Sequence, residues 1–158
     1  MQDFKLSTAK TSTKLLVTVF LLTMGLGYLM AMVNVGIQAG FTYQSVSEHM
    51  IGNEEEMIYP KEFASLVGTS HTHLFGHPPM FLLLGAIFLL TSVSEKFKKI
   101  LLPIPFIAVV LDMGSLWLTR YVAPGFAYLT IFSGMVMGLS FFVLFVIPLY
   151  EMWLKKVD

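Results

Sequence analysis

Ser70-His71-Thr72-His73-Leu74-Phe75-Gly76-His77-Pro78-Pro79, followed by the apolar run from Met80 to about Val93, is the stretch on which the reading of this chain turns. It holds three of the four histidines. Proline disfavours the α region for the residue before it, so Pro78 biases His77 away from helix. Two arrangements stay open. The helix starts near Pro78 and leaves the histidines on a loop, or one long helix runs through the stretch and kinks. In the second case His73 and His77, spaced i, i+4, share a face, whereas His71 and His73 do not.

Outward from this stretch the chain is apolar. Charged residues make up 13% of the 158 positions, against about 25% in soluble domains, and mean hydropathy is +0.75. Charge is also clustered, and the gaps between clusters are long enough to cross ~30 Å of hydrocarbon. Four spans are expected, at about 15–35, 72–93, 100–119 and 126–150. A polar outer loop covers 36–70, within which Pro60 to Val67 suits a short interfacial helix. The first run is too long for a signal-peptide core and reads as a retained span. The fold class is therefore all-α, an integral membrane antiparallel four-helix bundle in a single membrane domain.

Orientation follows from basic residues in the short connections. Lys5, Lys10, Lys14, Lys96, Lys98, Lys99, Lys155 and Lys156 gather on one side, and only Lys61 and Arg120 on the other. The positive-inside rule then puts both termini in the cytoplasm. The acidic loop, with Glu48, Glu54, Glu55, Glu56 and Glu62, faces outward with all four histidines. That side is the periplasm if the membrane is a Gram-negative inner membrane. Zero formal net charge gives no hint of a nucleic-acid partner, and the lipid bilayer is the expected surrounding.

No cysteine is present, which excludes disulfides, iron–sulfur clusters and thiolate zinc sites. Histidines without cysteine suit zinc, copper or haem iron. The candidate ligands are His49, His71, His73 and His77. Two axial ligands of one haem must come from opposite faces of the macrocycle, so neighbours on one helix cannot both hold the same iron. A bis-histidine haem b would need His49, or a methionine, opposite one of the others. Gly25, Gly27 or Gly85 would give the porphyrin room. The bland alternative is a set of satisfied interfacial side chains, or a proton-handling cluster.

Asp112 lies inside the third span, where an unpaired carboxylate costs at least ~2.5 kcal/mol. It is expected to face the interior, either accepting a hydrogen bond from a ligating histidine or bonded structurally to Ser115, Ser133 or backbone. Gly134-Met135-Val136-Met137-Gly138 fits small-xxx-small packing, within the bundle or against a partner. Trp117, Tyr121, Tyr150 and Trp153 read as interfacial anchors. The methionines are ordinary packing residues, with a thioether copper site as the sharper option.

Glu48-His49 with Gly52-Asn53, Pro60-Lys61-Glu62-Phe63-Ala64-Ser65-Leu66, His71-Thr72-His73-Leu74-Phe75-Gly76, and Asp112 with Trp117 together resemble a family of small four-span bacterial inner-membrane proteins. The resemblance covers nearly the whole chain. It implies the topology and singles out these residues without naming a reaction. Three functions are therefore expected as alternatives. The first is an electron-transfer subunit holding haem b through histidines near the outer face, with quinone or a periplasmic redox protein as partner. The second is a zinc or copper protein, for metal handling or metal-dependent hydrolysis. The third is a non-catalytic assembly subunit of a larger membrane complex.

Overall fold

The computed structural model describes residues 5–155, so Asp3 and Lys156 lie outside the described residues. Six α-helices carry the chain: α1 (Thr11–Gln38), α2 (Tyr43–Ile51), α3 (Phe63–Leu89), α4 (Glu95–Leu101), α5 (Ile104–Tyr121) and α6 (Ala127–Trp153). Among the described residues there are four stretches long and apolar enough to span a membrane: α1, α3, α4 with α5, and the segment containing α6. The fold is the expected all-helical one.

Side-chain pairs fix the directions. Phe81 meets Phe106 and the Trp117 indole donates to Ser70 Oγ at 2.9 Å, so α3 and α5 are antiparallel. Ser133 reaches Asp112, and Ser115 reaches Thr130, which makes α5 and α6 antiparallel as well. Tyr28 stacks on Phe141 at 4.1 Å, and Lys14 Nζ donates to the Met152 carbonyl at 2.8 Å, opposing α1 to α6. Both ends of the chain therefore gather at one end of the bundle. There the Leu6 N–H donates to the Leu90 carbonyl.

The core runs through α3, α5 and α6. Leu21, Phe81, Leu84, Phe88, Val109, Phe141 and Leu144 share one buried cluster; Met50, Leu66, Met113 and Leu116 form a second at the opposite end. Helix α1 is the exception, since Leu21 is its one buried residue. It leans on α6, where Gly25 lets the Phe145 ring come within 3.0 Å of a Cβ position, and Gly138 does the same for the Tyr28 hydroxyl at 3.1 Å. The Gly134/Gly138 pattern thus packs partly inside the bundle, through Gly138.

Helix α3 starts at Phe63 rather than near residue 72, so the Pro60–Val67 lead-in runs straight into it, with Phe63–Val67 already helical and no separate interfacial helix before it. Pro78 and Pro79 lie inside it. Each removes one backbone donor, leaving the Leu74 and Phe75 carbonyls without their i+4 partners. The Glu95–Lys99 turn is helical, as α4. The loop at 36–70 also holds more structure than its polarity suggests. Thr42 and Ser45 form a reciprocal capping box that starts α2, and Val46, Ser47 and Met50 bury one face. Gly52, at φ 85°, ends it, and Asn53 pairs with Ile58 to close a small hairpin carrying Glu54–Glu56.

Candidate functional site

The four histidines fall into three environments. On α3 the positions Leu66, Ser70, His73, His77, Phe81, Leu84 and Phe88 recur every three or four residues. Leu66, Phe81, Leu84 and Phe88 are buried and Ser70 bonds Trp117 of α5, so this stripe faces the bundle. His73 and His77 therefore point inward, half-buried, while His71 is exposed with its ring 4.8 Å from that of the exposed Phe75. The loop alternative is excluded for all three. At 1.5 Å per residue, His77 stands about 20 Å from the start of α3, close to its midpoint.

The His73 and His77 rings lie 4.7 Å apart, centre to centre. His77 Nδ1 is 3.1 Å from the His73 carbonyl oxygen. A carbonyl only accepts, so Nδ1 is the donor, and in the neutral ring Nε2 keeps a bare lone pair. A ligating histidine is typically oriented by this kind of hydrogen bond from its other nitrogen. His73 Nδ1 is shielded from solvent and has no hydrogen-bond partner. Among the described residues, no third histidine, aspartate or glutamate is placed to complete a metal-binding group.

His49 belongs elsewhere. It sits on α2, where Nε2 accepts from Lys61 Nζ at 3.2 Å and the ring donates to the Gln38 carbonyl. Burial and the Lys61 ammonium hold its pKa below the usual histidine value of 6.5, the Gln38 bond opposing them. This histidine is a neutral clasp between the end of α1, α2 and the lead-in to α3. Beside it, the Arg120 guanidinium Nε donates to the Lys61 carbonyl at 2.9 Å and tethers the same segment to α5.

The pairing of α3 with α5 puts the histidine pair at the level of the α5 segment that holds Asp112, yet the carboxylate turns to α6. Asp112, 7% exposed, accepts from Ser133 Oγ at 3.0 Å. The Thr130 carbonyl, 3.0 Å away, is the alternative acceptor for that one Ser133 proton, and the Ser115 and Thr130 hydroxyls are hydrogen-bonded at 2.7 Å. The intramembrane acid is thus part of a hydroxyl ladder between α5 and α6. No hydrogen bond from a histidine reaches it among the described residues.

Two of the glycines expected to make room for a porphyrin are already occupied. Phe145 fills the space beside Gly25, and Leu102 Cδ2 comes within 3.0 Å of a Cβ position at Gly85; Gly27 is open. A haem with two protein ligands would also need His49 or a methionine opposite the α3 pair, and His49 is committed to Lys61 and Gln38.

Glu151 escaped the sequence reading. It is 3% exposed, and its two oxygens accept from the Ser92 N–H at 2.9 and 2.7 Å, with Ser92 Oγ donating to Oε2 at 2.7 Å. The signal was present, though: Ser133, Met137, Phe141, Leu144 and Pro148 mark the buried stripe of α6, and Glu151 continues it.

No curated protein and no solved structure matches this chain. A family model does, over residues 40–158, so that α2 to α6 fall inside the match and α1 before it. With the larger part of its length matched, the chain belongs to the Aq_1264_TM family, a transmembrane helical domain.

Proposed function

We propose that this protein is a membrane-embedded binder of a zinc or copper ion, with His73 and His77 as its ligands. The observation that carries the reading is the His77 imidazole, whose Nδ1–H is fixed on the His73 carbonyl and whose Nε2 is left free. Two imidazoles bound to one ion at about 2.0–2.1 Å would place their ring centres about 5 Å apart, close to the 4.7 Å observed. Two protein ligands leave coordination positions for water or an incoming group, an arrangement suited to metal handling or to activation of a bound water. The Leu74 and Phe75 carbonyls released by the prolines add oxygen acceptors along the same turn. In this reading the chain sits in a bacterial inner membrane with its lysine-rich end in the cytoplasm.

Metal analysis of the detergent-purified protein tests it, together with an absorption spectrum of the same sample. Stoichiometric zinc or copper is expected, lost in His73→Ala and His77→Ala and kept in His49→Ala and His71→Ala. A protein that takes up neither metal on reconstitution, or loses it equally in His71→Ala, overturns the assignment. A Soret band with sharp reduced α and β bands would replace the ion by haem b. That outcome would favour the electron-transfer reading, with one of the pair as axial ligand.

A further inference from the structure

The end of the bundle where the chain begins and ends holds a pocket of about 410 Å³, between the segment at Lys5 and the α3–α4 connection. Leu89, Leu90 and Val93 form its apolar wall, and Lys5 and Lys98 its cationic rim, with Glu95 also at the edge. Lys98 is only 6% exposed. Its ammonium gives one proton to the Leu89 carbonyl at 2.8 Å and one to Glu95 at 3.1 Å, which leaves a third donor. Lys5 is exposed at the rim.

The position of this pocket along the bundle selects its occupant. Helix α3 ends at Leu89, so the pocket lies where the apolar span gives out, the depth of the lipid headgroups. The surrounding charge is one-sided: Lys5, Lys10, Lys14, Lys96, Lys98, Lys99 and Lys155 stand against Glu95 and Glu151 among the described residues. Glu151 is not among the lining residues, and its two oxygens are taken up by Ser92, which does line the pocket. A basic pocket between helices with an apolar wall below it matches a phosphate on top of acyl chains, and interfacial lysines attract such headgroups individually.

We infer that this pocket binds the phosphate of an anionic phospholipid, with Lys5 and Lys98 as its partners and the acyl chains lying along Leu89 and Leu90. The test is titration of dioctanoyl phosphatidylglycerol into the full-length protein in neutral detergent, followed by the thermal unfolding midpoint. A saturable rise is expected for the wild type, roughly fivefold weaker apparent affinity for Lys5→Gln, and no change for Lys10→Gln, an exposed lysine at the same end. Dioctanoyl phosphatidylcholine is expected to give no saturable rise. Equal weakening in Lys5→Gln and Lys10→Gln would reduce the effect to general surface charge and overturn the site. So would an unchanged Lys5→Gln. Inorganic phosphate alone matching the lipid would show that the free ion is the ligand and overturn the lipid assignment. Lys5 stands outside every packed element of the bundle core, so its variant is expected to fold.

Discussion

Replacing Glu151 by glutamine removes one charged acceptor and changes almost nothing else in size. In the native structure both carboxylate oxygens receive the Ser92 N–H, and Oε2 also receives the Ser92 hydroxyl. Lys155 donates to that same hydroxyl, and Lys14 bonds the neighbouring Met152 carbonyl, so cations surround the site. Glutamine keeps one oxygen for the backbone N–H, but its amide nitrogen cannot accept from Ser92 Oγ. One charge-assisted bond is lost at a residue only 3% exposed. A loss of about 1.5–3 kcal/mol is expected. Ser92→Ala removes the hydroxyl bond but spares the N–H, and is expected to cost about 1 kcal/mol. Because both substitutions delete the same contact, the double variant should cost clearly less than the sum, with a coupling of at least about 0.5 kcal/mol. Equilibrium unfolding in mixed micelles with rising sodium dodecyl sulfate measures all four proteins. If Glu151→Gln unfolds within about 0.5 kcal/mol of wild type, or the cycle is additive, the carboxylate does not tie the α3–α4 connection to α6.

Four further perturbations probe other parts. Gly52→Ala puts a Cβ 2.8 Å from the Ile58 carbonyl oxygen and 2.9 Å from the Pro60 nitrogen, at φ 85°. Neither contact can move cheaply, so a loss of at least about 1–2 kcal/mol in local stability is expected by hydrogen exchange of α2. Gly27→Ala meets nothing within 4 Å on a helical backbone and should leave unfolding unchanged or raise stability by up to about 1 kcal/mol. For His49 the folded pKa is depressed, so the unfolded chain binds the extra proton first as pH falls. Its contribution is complete above about pH 6.5 and is lost progressively below it. Protection of α2 should fall on acidification in the wild type and much less in His49→Gln; equal pH profiles would exclude the clasp. Trp117→Phe forfeits the bond to Ser70, whose hydroxyl still donates to the Leu66 carbonyl, and a loss of about 1 kcal/mol is expected on the same micellar assay.

The spans were legible because hydropathy alone decides which segments leave water, and Asp112 was legible as inward-facing because a carboxylate has nowhere else to go in hydrocarbon. Parity of four spans also fixed that both ends share one face. What escaped was local. Pro78 left a helix boundary and one continuous helix both open; the span around the two prolines outweighs two missing hydrogen bonds, and α3 runs through from Phe63. The polarity of 36–70 concealed α2, although Thr42, Ser45 and Gly52 are its start and stop signals. The histidines looked like one cluster because they are close in sequence. Helical geometry separates them, since two positions along an α-helix turn a side chain to another face. The burial of Glu151 and Lys98 was not legible, because burial of a charged group at a span end depends on partners outside the hydropathy pattern, such as Ser92 for Glu151.

The loose seat of α1 leaves most of that helix to the bilayer. Leu21 is its one buried residue, whereas Leu15, Val19, Leu22, Leu26, Leu29 and Val33 are exposed. Its contact with α6 rests on Tyr28 against Phe141 and on Phe145 beside Gly25. With so few side chains holding it, α1 is the span expected to separate first from the α3–α5–α6 core as denaturant rises.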